Sequence, residues 1–180
     1  MSQIARFILR LMGWNIYSRV PMDIPKAVII MAPHTSNWDF IIGRLAFYWY
    51  KINPRIMIKK EAFKPVIGAV LKWLGGVPVD RRHSQNTVKE ITKRFQQSDR
   101  FYLLITPEGT RKRVNKWKRG FYFIAHNAGV PIFLGFLDYH KKEGGIGMMI
   151  EPTGNFDADF KIIEDFYRGK QARHPEKFNL

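Results

Sequence analysis

Ala27-Val28-Ile29-Ile30-Met31-Ala32-Pro33-His34-Thr35-Ser36-Asn37-Trp38-Asp39 is the stretch that decides the fold. Its first six residues are an uninterrupted apolar run, as expected of a strand buried on both faces. Residues 40–50 form a second apolar run that reads as a helix. Between the two, His34 and Asp39 lie five residues apart on a strand-to-helix turn. Folded back, the Asp39 carboxylate accepts a hydrogen bond from one ring nitrogen of His34. The other nitrogen is then left as a base aimed outward. The structural alternative is that Ser36 caps the helix, Asp39 favours its positive N-terminal end, and His34 is incidental.

The rest of the chain repeats the strand-then-helix pattern. Strands are predicted at 55–58, 77–79, 101–105, 131–137 and 145–150. Helices are predicted near 64–74, 85–97, 117–128 and 159–169, the last followed by a basic tail. Single helical crossovers imply a largely parallel sheet covered by helices. The expectation is one α/β domain over residues 21–180, with a mostly parallel central sheet. An amphipathic helix precedes it within residues 1–20: Ile4, Phe7, Ile8, Leu11 and Met12 recur at helical spacing, and Arg6 and Arg10 occupy another face. The helix reading extends to Trp14 and Tyr17. Such a helix either caps the core or lies in a bilayer interface.

Composition narrows the partners. The 180 residues carry 30 Lys and Arg against 15 Asp and Glu, a net charge of +15 that calls for a polyanion: nucleic acid, anionic lipid or a phosphorylated substrate. There is no cysteine, hence no disulfide, thiolate metal site or cysteine nucleophile. The longest stretch without Lys, Arg, Asp or Glu, residues 120–137, is 18 residues long but contains His126, Asn127, Gly129 and Pro131. It reads as helix, turn and strand, so no transmembrane helix is expected. The N-terminus lacks signal-peptide features. The remaining histidines, His83, His126, His140 and His174, have no metal-like spacing, and no metal site is expected.

In open α/β sheets ligands bind outside the carboxyl ends of the strands. Three polar clusters fall there: residues 34–39, Asp80-Arg81-Arg82, and Thr106-Pro107-Glu108-Gly109-Thr110-Arg111-Lys112-Arg113. They are expected to open on one sheet edge as one site. Arg81 and Arg82 follow Gly75-Gly76, where the backbone can pass close to a ligand. A guanidinium there could hold a phosphate, or the two are solvated charges or pair with Asp80. In the third cluster Pro107 and Gly109 fix a turn around Glu108, with cations immediately after. That suits a ligand bearing both hydroxyls and a phosphate. No phosphate-loop, dinucleotide, serine-elbow or zinc-protease motif is present.

With these clusters in view the chain resembles the glycerolipid acyltransferases, the H-x-x-x-x-D superfamily that includes glycerol-3-phosphate and 1-acylglycerol-3-phosphate acyltransferases. His34 to Asp39 is similar to its first motif and Gly75 to Arg81 to its second. Thr106 to Arg111 is similar to its P-E-G-T-R motif, and Val130-Pro131-Ile132 to its fourth. The resemblance implies O-acyl transfer from acyl-CoA or acyl-carrier protein to a glycerophosphate or lysolipid acceptor, without a cofactor. His34 would be the general base and Asp39 its orienting carboxylate. Arg81 and Arg111 would hold the acceptor phosphate, and Glu108, Gly109 and Thr110 would line the acceptor site. Backbone N–H groups at the helix start after His34 are expected to stabilise the oxyanion. The expected setting is cytoplasmic, peripheral on an anionic membrane through the N-terminal helix, and nucleic acid is not expected as a partner.

Overall fold

The structure, a computed structural model, describes residues 2–21, 23–79 and 84–180. Asp80, Arg81, Arg82 and His83 lie outside the described residues, and with them the expected phosphate-binding Arg81.

The apolar run that begins at Ala27 is the centre of the molecule. β2 (Lys26–Met31) lies in the middle of a seven-stranded sheet that also contains β1 (Asn15–Ser18), β3 (Arg55–Lys59), β4 (Gly76–Val79), β5 (Phe101–Ile105), β6 (Ile132–Asp138) and β7 (Glu143–Ile150). The order is β1-β7-β6-β2-β5-β3-β4, and every pairing is parallel except β6 with β7. Ala27, Val28, Ile29 and Ile30 are all fully buried. Alternate residues serve opposite faces. Ala27 and Ile29 pack with Phe47, while Val28 and Ile30 pack with Ile91, Phe95 and Phe121. Burial on both faces explains the unbroken apolar run, and Val28, Ile29 and Ile30 each contribute about 1.5–3 kcal/mol.

Helices α2 (Trp38–Tyr50) and α3 (Pro65–Trp73) cross from β2 to β3 and from β3 to β4, stepping the same way across the sheet, so right-handed connections place both on one face. α1 (Ser2–Leu11) joins them by packing Leu9 against Ile42 and Ala46 of α2. The other face carries α4 (Ser84–Gln97), α5 (Gly120–Ala128) and α6 (Phe156–Tyr167), which supply Ile91, Phe95, Phe121, Tyr122, Ile163 and Tyr167 to the larger core cluster.

Three boundaries differ from the sequence expectation. The N-terminal helix does not reach Tyr17: it stops at Leu11, Gly13 takes a left-handed φ of +76°, and Asn15–Ser18 becomes the edge strand β1, paired with β7. Residues 2–20 are therefore not helix alone but helix, turn and strand. α5 begins at Gly120, because residues 106–119 are taken up by the loop that carries Glu108. α6 begins earlier than expected because the Asn155 side chain accepts a hydrogen bond from the Ala158 N–H, with Asp157 and Asp159 in the first turn.

Candidate active site

β2 and β5 are adjacent and parallel, with Ile30 opposite Ile105, so the loops that follow them emerge side by side at the carboxyl edge. This register joins the first and third sequence clusters. The backbone N–H of His34 donates to both carboxylate oxygens of Glu108, 3.0 Å from each.

The His34–Asp39 pair forms as the spacing suggested. Nδ1 of His34 lies 3.2 Å from Oδ2 of Asp39, and the imidazole retains 21% exposure while the carboxylate side chain retains 6%. With Nδ1–H directed at Asp39, Nε2 carries the lone pair that can take a proton. The same Oδ2 accepts the N–H groups of Thr35 and Ser36, each at 2.8 Å, and Oδ1 accepts the hydroxyl of Tyr139 at 2.7 Å. Burial alone would raise the Asp39 pKa. The hydrogen bonds from His34, Tyr139 and the Ser36 backbone outweigh it and hold the carboxyl below its ordinary 3.8. Ser36 also accepts the Trp38 N–H at 3.2 Å, so the helix-start role of this turn coexists with the orienting role of Asp39. One expectation changes here. The Thr35, Ser36 and Trp38 N–H groups, expected to face an oxyanion, are already engaged by Asp39 and Ser36.

Glu108 sits differently from a side chain presented on a turn. It is 4% exposed. Burial, reinforced by the nearby negative charge of Asp39 and only partly offset by the His34 N–H, pushes its pKa to about 7. The turn around it is built as the sequence suggested: Gly109 has φ +67° and its N–H donates to the Thr106 carbonyl, while Lys118 N–H closes on the Pro107 carbonyl. Thr110, Arg111 and Lys112 are exposed beyond the turn, and Thr110 Oγ1 accepts the Lys112 N–H. Arg113 turns instead to the side-chain oxygen of Asn179.

The Gly75-Gly76 pair does not line this edge. Both residues lie at the amino end of β4. A Cβ on Gly75, whose φ is +86°, would come within 2.9 Å of the Pro54 carbonyl, and one on Gly76 within 2.7 Å of the Leu71 carbonyl. These glycines serve the close return from α3 to β4 rather than a ligand.

Three contributors escaped the sequence reading. Tyr139 follows β6, the other parallel neighbour of β2, so it arrives at the same edge. Its position just past a predicted strand was the available signal. Arg173 stands 5.4 Å from the Trp38 ring and 5.9 Å from that of Tyr139, adding a cation beside the pair. The His174 N–H donates to Thr35 Oγ1, pinning the C-terminal segment to the turn that carries His34 and Asp39. Beneath the site, the buried Tyr167 hydroxyl donates to the carbonyls of Gly135 and Ile30.

Comparison with known proteins agrees with this geometry. The family model described as Acyltransferase matches residues 15–133, a span that contains the His34–Asp39 pair, Glu108 and the strands that bring them together. The chain belongs to the acyltransferase family. No curated protein sequence is matched. Among solved structures, the fold is similar to the crystal structure of the 1-acyl-sn-glycerophosphate (LPA) acyltransferase PlsC from Thermotoga maritima, with a TM-score of 0.58 and 16% identity. The match covers 96% of this chain and 80% of that one. At that identity the likeness concerns the fold: one α/β domain with a mostly parallel sheet and an N-terminal helix.

Proposed function

We propose that this acyltransferase moves a fatty acyl group from an acyl thioester to the hydroxyl of a glycerol-phosphate or lysophospholipid, with 1-acylglycerol-3-phosphate as the favoured acceptor. The observation that carries the reading is the His34–Asp39 pair, a partly exposed imidazole whose Nδ1 faces a carboxylate held anionic by four donors. Nε2 of His34 takes the acceptor hydroxyl proton as that oxygen attacks the thioester carbonyl. The tetrahedral adduct then collapses, the C–S bond breaks, and the imidazolium returns the proton to the departing thiolate. Asp39 stabilises the imidazolium between these steps. No acyl-enzyme intermediate is required.

Arg81 and Arg111, with the exposed Lys112 beside Arg111, are assigned to the acceptor phosphate. Glu108 acts first as a clamp on the His34 backbone. A contact with a glycerol hydroxyl, as the family resemblance implies, would require that clamp to loosen. Gly109 and Thr110 continue the turn toward the acceptor. Both substrates are lipid-linked, and α1 exposes Ile4, Phe7 and Leu11 beside Arg6 and Arg10, which supports attachment to an anionic membrane surface. No helix among the described residues is long and apolar enough to cross a membrane.

The test is acyl transfer from labelled acyl-CoA and acyl-carrier protein to glycerol 3-phosphate, 1-acylglycerol 3-phosphate and other lysolipids. The proposal expects product with the phosphate-bearing monoacyl acceptor. Equal turnover of acceptors with and without a phosphate would remove the substrate assignment while leaving acyl transfer intact.

A further inference from the structure

The two faces of the sheet are finished differently. Among the described residues thirteen large apolar side chains are exposed, and ten of them belong to α1, α2 and α3, all on one face. α3 is the extreme case. Val66 is 80% exposed, Trp73 78%, Ile67 56% and Val70 51%, and only Gly68 of this helix is buried. Positions 66, 70 and 73 form one stripe at helical spacing. An amphipathic helix normally turns such a stripe to the core; here it faces outward.

What surrounds the stripe identifies its partner. Lys59, Lys60 and Lys64 stand exposed where β3 leads into α3, outnumbering the one exposed acid among them, Glu61, and Lys72 stands in the last turn of α3. Neither α3 nor α1 contains an acidic residue, and the Asp39 carboxylate of α2 is buried. An apolar stripe with a terminal tryptophan, bordered by lysines, matches the interface of an anionic bilayer, with aliphatic side chains below the headgroups and ammonium groups among the phosphates. A self-associating helix pair would instead bring four lysines against their own copies. The apolar side of α1 is exposed on the same face, because α1 packs on α2 and α2 and α3 share that face.

We propose that α3 is a second membrane-insertion element, so that the face formed by α1, α2 and α3 rests on an anionic leaflet with two anchors. The catalytic turn precedes α2, between those anchors, and so opens at the bilayer boundary. The inference rests on the reading that the substrates are lipid-linked, but its test needs no turnover.

Wild type, an α3 variant (Val66→Asp with Trp73→Asp) and an α1 variant (Phe7→Asp with Leu11→Asp) are floated with phosphatidylcholine vesicles, with and without phosphatidylglycerol. The substituted α3 side chains are exposed, so the thermal midpoint is expected to stay at the wild-type value. Each variant should lose about tenfold or more in partitioning to the phosphatidylglycerol vesicles. Brominated lipid should quench wild-type fluorescence more than that of Trp73→Phe. An α3 variant that floats like wild type while the α1 variant does not would overturn the proposal. So would a lipid-free dimer, seen by sedimentation, that the α3 variant dissolves without changing flotation. Acyl transfer measured separately on short-chain soluble substrates reports on the catalytic reading, so the two can fail independently.

Discussion

The backbone N–H of His34 is held by the carboxylate of Glu108, a residue 74 positions away, and this single donor facing two oxygens joins the loops after β2 and β5. His34 is therefore positioned from both ends: its ring by Asp39 and its backbone by Glu108. Both supports are acidic and burial raises the pKa of both, but among the described residues the hydrogen bonds that offset it differ. Asp39 has four donors and stays ionised, whereas Glu108 has one and holds its proton up to about neutral pH.

That difference sets a pH dependence. Glu108 is raised from its ordinary 4.5 to about 7 in the folded protein. Between those values the folded state keeps a proton that the unfolded chain has released, so its contribution to stability is complete below the ordinary value and is lost as pH climbs to about 7. The loss is at most ~3 kcal/mol. Glu108→Gln, which keeps an acceptor for the His34 N–H, should flatten the decline across this window. Denaturant midpoints measured through it provide the check, and an unchanged slope in the variant would count against the assignment.

Tyr139 reaches His34 through Asp39. Tyr139→Phe removes one donor and leaves three, so kcat should fall about tenfold with KM little changed, in line with one charge-assisted hydrogen bond. The Asp39 pKa, followed by carboxyl carbon NMR, should rise. A variant with lower kcat and an unmoved Asp39 titration would show that Tyr139 matters only for packing.

Arg111 is exposed at the mouth of the site. Arg111→Ala should raise KM for a phosphate-bearing acceptor by about tenfold or more while leaving KM for the acyl donor near wild type. Equal effects on both substrates would mean that the cation attracts anions generally rather than binding the acceptor phosphate.

Much of this was legible in the sequence because it is local. The apolar run at β2, the strand-helix alternation and the five-residue His34–Asp39 spacing need no long-range information. The Glu108 turn was legible as a turn, since Pro107 and Gly109 set its backbone. Its partner was not, because contact with His34 depends on the register of β2 against β5. Tyr139 and His174 join the site from distant segments, and no periodicity announces such contacts. The N-terminal helix was overextended because Trp14 and Tyr17 continue an apolar pattern past Gly13, and pairing with β7 claimed residues 15–18 as strand. The outward stripe of α3 could not be told from a core-facing one, since spacing gives a stripe but not its direction.

The central claim is that His34 is the general base of an acyl transfer. Its most direct measurement is turnover of labelled acyl donor by wild type and by His34→Ala, both shown folded by their thermal transitions. In His34→Ala, kcat is expected to drop by ~10²–10⁴ at a similar thermal midpoint. Turnover near wild type in the folded variant would contradict it.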